Sequence, residues 1–240
     1  WGGPDWKEKL TPFYEKAKIM LGVTKSEVIT HADKLLQECA DDAGIGDTFH
    51  VNDVGVYFGK PGVKVSDPYF NGQGPDRTGC ILCGGCMVGC RHGAKNTLDM
   101  NYLFLAEKLG VDILPETRVV DVQPNDSENY ILITKKVTGI VKRKNIYHAG
   151  GVFFSGGVMG TVKLLHRCKS KGSLPNISQQ LGNFVRTNSE AIQGVLAKGK
   201  DVDYSEGIAI TSGIYPDKNT HIETCRYGKG QGAMSLLATL

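Results

Sequence analysis

Apolar residues recur at helical spacing over residues 5–21 (Leu10, Phe13, Tyr14, Ala17, Met20, Leu21), and Gly22 then supplies a stop. The pattern predicts a surface helix with one face packed on a core. Thr30 is placed to cap a second helix, with Asp33 at its third position, running through Ala32, Leu35, Leu36, Cys39 and Ala40 to Gly44. Short β-like pieces follow at 49–51 and 54–58. Residues 59–79 are rich in Gly and Pro and keep no period, and a loop that long inside a compact domain usually serves function. A third helix starts at Asn96 or Thr97, continues through Leu98, Tyr102, Leu103, Leu105, Ala106 and Leu109, and is closed by Gly110. Strands are predicted at 112–114, 119–122, 130–137 and 151–154, then a helix from Val158 to about Ser170. Beyond Leu181, alternation at 191–196, 207–211 and 221–225 predicts antiparallel strands of a second sheet. The expected fold class is mixed, α+β or α/β, with no internal repeat.

Composition narrows the function classes. With 28 Lys and Arg against 25 Asp and Glu, both signs interspersed, there is no basic stripe for nucleic acid or an anionic membrane. No run reaches the roughly 18 to 20 apolar residues of a membrane helix, and no signal peptide opens the chain. The first residue is Trp1, and residues 234–240 end in an apolar run without a polar tail, so a longer protein is expected on both sides. A targeting signal would lie upstream of Trp1; the default expectation is a cytoplasmic protein. Thirty-one Gly, many in clusters, suggest backbone packed closely against a partner group.

Two motifs carry candidate chemistry. Cys80, Cys83, Cys86 and Cys90 have the C-x2-C-x2-C-x3-C spacing with which bacterial ferredoxins wrap an iron–sulfur cluster, although Arg91 replaces the usual Pro and no second run exists. A four-thiolate zinc site, a pair of disulfides, or reduced thiols packed as small apolar groups are the other readings. The second motif is strand, glycine turn and helix: residues 151–154, then Ser155, Gly156, Gly157 and Gly160, leading into 161–165. Without Cβ atoms such a turn lets a nucleotide approach the backbone and the helix N-terminal amides; a tight structural turn is the plainer reading. No G-x-G-x-x-G with a following acidic residue, the primary dinucleotide fingerprint, occurs in the chain.

Three stretches, in matching order and spacing, resemble the glucose-methanol-choline oxidoreductases on their cholesterol-oxidase-like branch: Gly93-Ala94-Lys95-Asn96-Thr97-Leu98-Asp99-Met100-Asn101-Tyr102-Leu103 with 111–122; the glycine turn with 174–178 and 181–182; and Arg186-Thr187-Asn188-Ser189-Glu190. The resemblance covers essentially the whole chain. It implies an FAD enzyme that oxidises an alcohol by hydride transfer to the flavin, with oxygen or another acceptor reoxidising it. It also implies that the unit gripping the FAD pyrophosphate lies before Trp1 and the catalytic His and Asn after Leu240, leaving an FAD/NAD(P)-binding-type domain and part of an antiparallel substrate domain, incomplete at both ends. Residues 1–185, with a Cys-rich loop at 59–95, would belong to the first and residues 186–240 would begin the second.

Carried over position by position, 117–120 resembles the strand that meets the adenine, with Val119 the best single position. Ser155, Gly156, Gly157 and Gly160 resemble the turn on the adenosine side, and Asn188 a polar contact near the flavin. Residues 221–224 resemble the substrate-sheet strand that presents an active-site Glu, which makes Glu223 a candidate acid/base. His221 alternates with it and faces the same side. A solvated strand Glu, a surface His and a turn-forming Asn are the plainer alternatives. The Cys run departs from the better-known sterol oxidases; a cluster there would make the enzyme a dehydrogenase. Besides an FAD-dependent alcohol or sterol oxidoreductase, the sequence leaves open an iron–sulfur electron-transfer module and a metal- or disulfide-stapled binding domain.

Overall fold

The computed structural model describes residues 3, 5–125, 129–186, 190–195, 199 and 201–232. They form two compact units: Trp1–Val111 with Ile192–Leu240, and Asp112–Ala191. The fold is mixed α/β, and every strand pair in its sheets is antiparallel.

In the first unit, helix α1 spans Trp6–Met20 as the periodicity predicts, yet none of its residues is buried, and Trp6, Leu10, Phe13, Tyr14 and Ile19 lie exposed. The expected packing of this helix on a core is not found among the described residues. Strand β1 (Thr24–Lys25) leads to helix α2 (His31–Asp42). The predicted cap is present: the Asp33 carboxylate reaches back to accept the Thr30 N–H at 2.6 Å. Strand β2 (His50–Val51) and β3 (Asp53–Val54) follow, β3 pairing with β1.

The loop from 59 to 79 carries one short hairpin, β4 (Lys64–Val65) with β5 (Arg77–Thr78). Two charged groups order it. The Asp67 carboxylate accepts the backbone N–H groups of Tyr69, Phe70, Gly72 and Gly74. Arg77, 1% exposed, donates to Asn96 Oδ1 at 2.7 Å and to the carbonyls of Pro75 and Met100, and its guanidinium lies over the Tyr69 ring. Two 3₁₀ turns, Gly85–Val88 and Leu98–Met100, then precede helix α3 (Tyr102–Lys108).

The same unit closes with strands β9 (Ile210–Asp217) and β10 (Thr220–Cys225), which make a hairpin; β2 adds to the far side of β9, giving the order β10-β9-β2. The predicted strand at 207–211 is therefore shifted toward the C-terminus, 221–225 is found, and 191–196 holds no strand among the described residues. Gly213 and Pro216 disguise β9 in the sequence. Asp33 fastens α2 to this sheet: it accepts hydrogen bonds from Thr211, Ser212 and Thr224, and faces the Arg226 guanidinium at 3.6 Å. The core beneath is small, built of Val56, Phe58, Ala94 and Ile208.

The second unit is a meander of β6 (Thr117–Asn125), β7 (Asn129–Lys136) and β8 (Lys144–Ala149), with helix α4 (Gly157–Lys171) against β6. Buried Cys168 of α4 donates to Asp121 of β6. Residues 112–114 and 151–154 are not strands. The place next to β7 is taken by β8, whose alternation is hidden under Lys144, Asn145 and His148, and Gly150 and Gly151 end the extended run before the turn into α4.

Candidate active site

Glu223 and His221, placed on one strand by the sequence, line one cavity of about 700 Å³ in the first unit. Its other walls include His50, Asn52, Tyr215 and Cys86. Asn52, 8% exposed, donates from Nδ2 to Glu223 Oε1 at 2.6 Å, and His221 Nδ1 stands 4.0 Å from the same oxygen. His221 Nε2 and His50 Nε2 are 3.2 Å apart, and His50 Nδ1 meets the Thr48 carbonyl at 3.0 Å. The Tyr215 ring stacks on both imidazoles, with centroids 4.4 Å from His221 and 5.0 Å from His50. Such a group can hold a carboxylate in one orientation beside a base, the minimum for moving a proton.

The sheet assembles these residues. Gly213 at the centre of β9 is registered against His50 of β2 and Glu223 of β10, and the backbone of Asn52 continues the pairing by donating to the Thr211 carbonyl. Sequence reading finds Glu223 and His221 but not His50, Asn52 or Tyr215. The only local signal for the first two is their alternation within a short extended piece; His50 and Asn52 pair with β9 about 160 residues away in the chain.

In the second unit, Val119, Ser155, Gly156 and Gly160 line a groove of about 610 Å³ whose rim carries Arg118, Lys163 and Arg167. Gly157 opens α4 at φ +68°, where a side chain would be strained. The Gly156 N–H is held by Thr161 Oγ1 at 3.0 Å. A Cβ on Gly157 or Gly160 would meet nothing within 4 Å, so neither glycine is packed against this chain. Four of the five cofactor-site positions described share the groove. The sixth candidate, Asn188, lies outside the described residues.

The four cysteines of the run do not come together as a ligand set. Cys80, Cys86 and Cys90 pack against the apolar core with Leu82, while Cys83 is exposed. Among the described residues no three His, Cys, Asp or Glu side chains are gathered as metal ligands. In this structure Cys80, Cys86 and Cys90 are free thiols packed among apolar groups, one of the arrangements the run allows. Its loop is zipped to the start of the sheet through Gly84 N–H to Gly207 O and Gly207 N–H to Leu82 O. That contact brings Cys86 and Met87 into the wall of the Glu223 cavity. Burial pushes the Cys80 thiol up, with the neighbouring thiols adding to it. Burial acts the same way on Cys90, but the backbone N–H groups of Lys95, Ala94, His92 and Gly93 outweigh it and hold that thiol below its ordinary range.

No family model matches the chain. It is 47% identical to a cholesterol oxidase of Acinetobacter baumannii over 98% of its own length, and 45% identical, over the same share, to one of Mycobacterium tuberculosis H37Rv. The chain is similar to these two cholesterol oxidases over almost its whole length. It spans 44% and 42% of the length of these two relatives. The likeness to the cholesterol-oxidase-like branch carried by residues 93–122, 151–182 and 186–190 thus extends across almost the whole sequence. Nothing in the comparisons points to an iron–sulfur module. Among the described residues, no helix is long and apolar enough to cross a membrane.

Proposed function

We propose that the chain is part of an FAD-dependent oxidoreductase that oxidises an alcohol, a sterol of the cholesterol type, and that Glu223 is its acid/base. The observation that carries the reading is Glu223 itself, anchored by Asn52 in a cavity walled by Val54, Val56 and Ile208, within a chain similar to proteins named cholesterol oxidase. In this reading residues 1–185 serve mainly the FAD side and residues 186–240 begin the substrate sheet, which β2 completes.

The groove of the second unit suits the adenosine end of FAD. It offers apolar contacts from Val119, Val122 and Leu164, glycines at the start of α4, and cations at its rim. Val119, Ser155, Gly156, Gly157 and Gly160 would hold that end, with Asn188 a further polar contact. When bound, the flavin supplies the hydride acceptor for the carbinol C–H, and oxygen or another acceptor restores it. The chain's own residues handle the proton. The Asn52 side-chain amide (Nδ2–H) fixes one carboxylate oxygen, so the carboxylate meets a substrate hydroxyl in one orientation. Glu223 takes the hydroxyl proton as the C–H electron pair departs, and His221 stands where it can take that proton onward.

In the full-length protein, Glu223→Gln is expected to lower kcat for sterol oxidation by about 10²- to 10⁴-fold while flavin content stays normal. Turnover equal to wild type would remove Glu223 from the chemistry.

A further inference from the structure

The proton path does not end at His221. A carbonyl oxygen only accepts, so the His50 Nδ1 that meets Thr48 O at 3.0 Å carries a hydrogen. A neutral His50 then presents a lone pair at Nε2, and His221 Nε2, 3.2 Å away, must be the donor. That choice leaves His221 Nδ1 bare and facing Glu223 Oε1 at 4.0 Å. A bare ring nitrogen opposite a carboxylate is unfavourable unless one of the two holds a proton. The chain of contacts from Thr48 therefore sets the site up to accept one.

The central strand makes room for this arrangement. A Cβ on Gly213 would lie 2.4 Å from His221 Nε2 and 3.2 Å from His50 Cε1. Any other residue there would separate the two rings. Tyr215 keeps them nearly parallel, at 13° to His221 and 15° to His50.

We propose that His50 is the positioning residue of a two-histidine relay behind Glu223: it fixes the tautomer of His221 and takes up its proton. The inference rests on the reading of Glu223 as the acid/base. The alcohol O–H proton passes to Glu223 as the C–H electron pair departs, a hydride that a bound flavin would accept. Glu223 then protonates His221 Nδ1, and the Nε2 proton of His221 crosses to His50 Nε2. The pair holds one positive charge, with His50 Nδ1–H still on Thr48, until the proton is returned along the same path. No ring needs to turn over.

The test uses the full-length, FAD-loaded protein with ¹⁵N-labelled histidine. In the wild type His50 is expected as the Nδ1–H tautomer and His221 as the Nε2–H tautomer. His50→Phe keeps a ring for Tyr215 but cannot accept. It is expected to release His221 into mixed tautomers, to shift the acid limb of the kcat–pH profile with KM unchanged, and to lower kcat by about 10- to 100-fold, the range seen when an outer hydrogen bond to a metal-bound histidine is lost. His50→Gln, whose amide oxygen accepts, restores much of both. Gly213→Ala suits a strand and reproduces the His50→Phe profile. Lys25, Asp53, Lys95, Cys86 and Tyr215 also face the cavity and stay constant across these variants. A His221 tautomer or pH profile untouched by His50→Phe overturns the relay while leaving Glu223 in place. If instead Glu223→Gln leaves turnover intact, the acid/base reading falls, and the relay falls with it.

Discussion

Asp33 shows how one side chain can tie a helix to a sheet. Burial raises its pKa, but donors from Ser212, Thr211 and Thr30 outweigh that and bring it from 3.8 to about 2. Because the folded value lies below the unfolded one, the stability it adds is complete above about pH 4 and is lost as pH falls toward 2. A shift of that size corresponds to about 2 kcal/mol. Asp33→Asn is expected to flatten the pH dependence of urea stability in that window. It should also cost about 3 kcal/mol at neutral pH, because Arg226 is left buried without its counter-charge. A variant with the wild-type pH slope would show that another carboxylate governs acid unfolding. The cysteines separate by the same logic. Cys90, with four amides turned toward its sulfur, is expected to alkylate faster than Cys80 at neutral pH, as peptide mapping after brief iodoacetamide treatment would show.

Local signals were legible at the scale of elements wherever an element explains itself. The box of Thr30 and Asp33, the apolar period of α1 and the alternation of β10 all have their causes within a few residues, and each was readable from the sequence. The elements that failed owe their existence to distant partners. β2 was readable as a short β-like piece at 49–51, but its pairing with β9 was not. β9 carries Gly213 and Pro216, and β8 has a polar surface, so neither advertises itself. The candidate site divided in the same way: Glu223 and His221 came with β10, while His50 and Asn52 needed the β2–β9 pairing. The 59–79 loop was recognisable as irregular, but not as rigid. Burial works against the Asp67 carboxylate, yet the amides of Tyr69, Gly74, Phe70 and Gly72 hold its pKa below the ordinary range. Asp67→Ala leaves those four N–H groups without their acceptor and is expected to open 66–74 to proteolysis at a concentration the wild type survives. An unchanged digestion pattern would assign the loop's order to Arg77 alone.

At the scale of the molecule, the groove and the cavity belong to different compact units, and the chain spans under half the length of its relatives. The groove offers an apolar slot and a basic rim. Of the amides at its glycine turn, that of Gly156 is already used by Thr161. The backbone cradle that normally takes a pyrophosphate, a G-x-G-x-x-G turn opening a helix, is absent from the sequence. Adenine contacts without that cradle leave two phosphates to be held by side chains exposed to water, where each ion pair contributes about 1 kcal/mol or less. The 240-residue chain produced by itself is therefore expected to purify colourless and to bind added FAD weakly, in a manner that fades with salt. The full-length protein is expected to retain flavin through the same steps. Val119→Arg, which places a cation in the apolar wall of the groove, should lower flavin occupancy in the full-length protein without altering the His50–His221 tautomers. Stoichiometric, salt-resistant flavin on the short chain would mean that the groove alone is the principal nucleotide site.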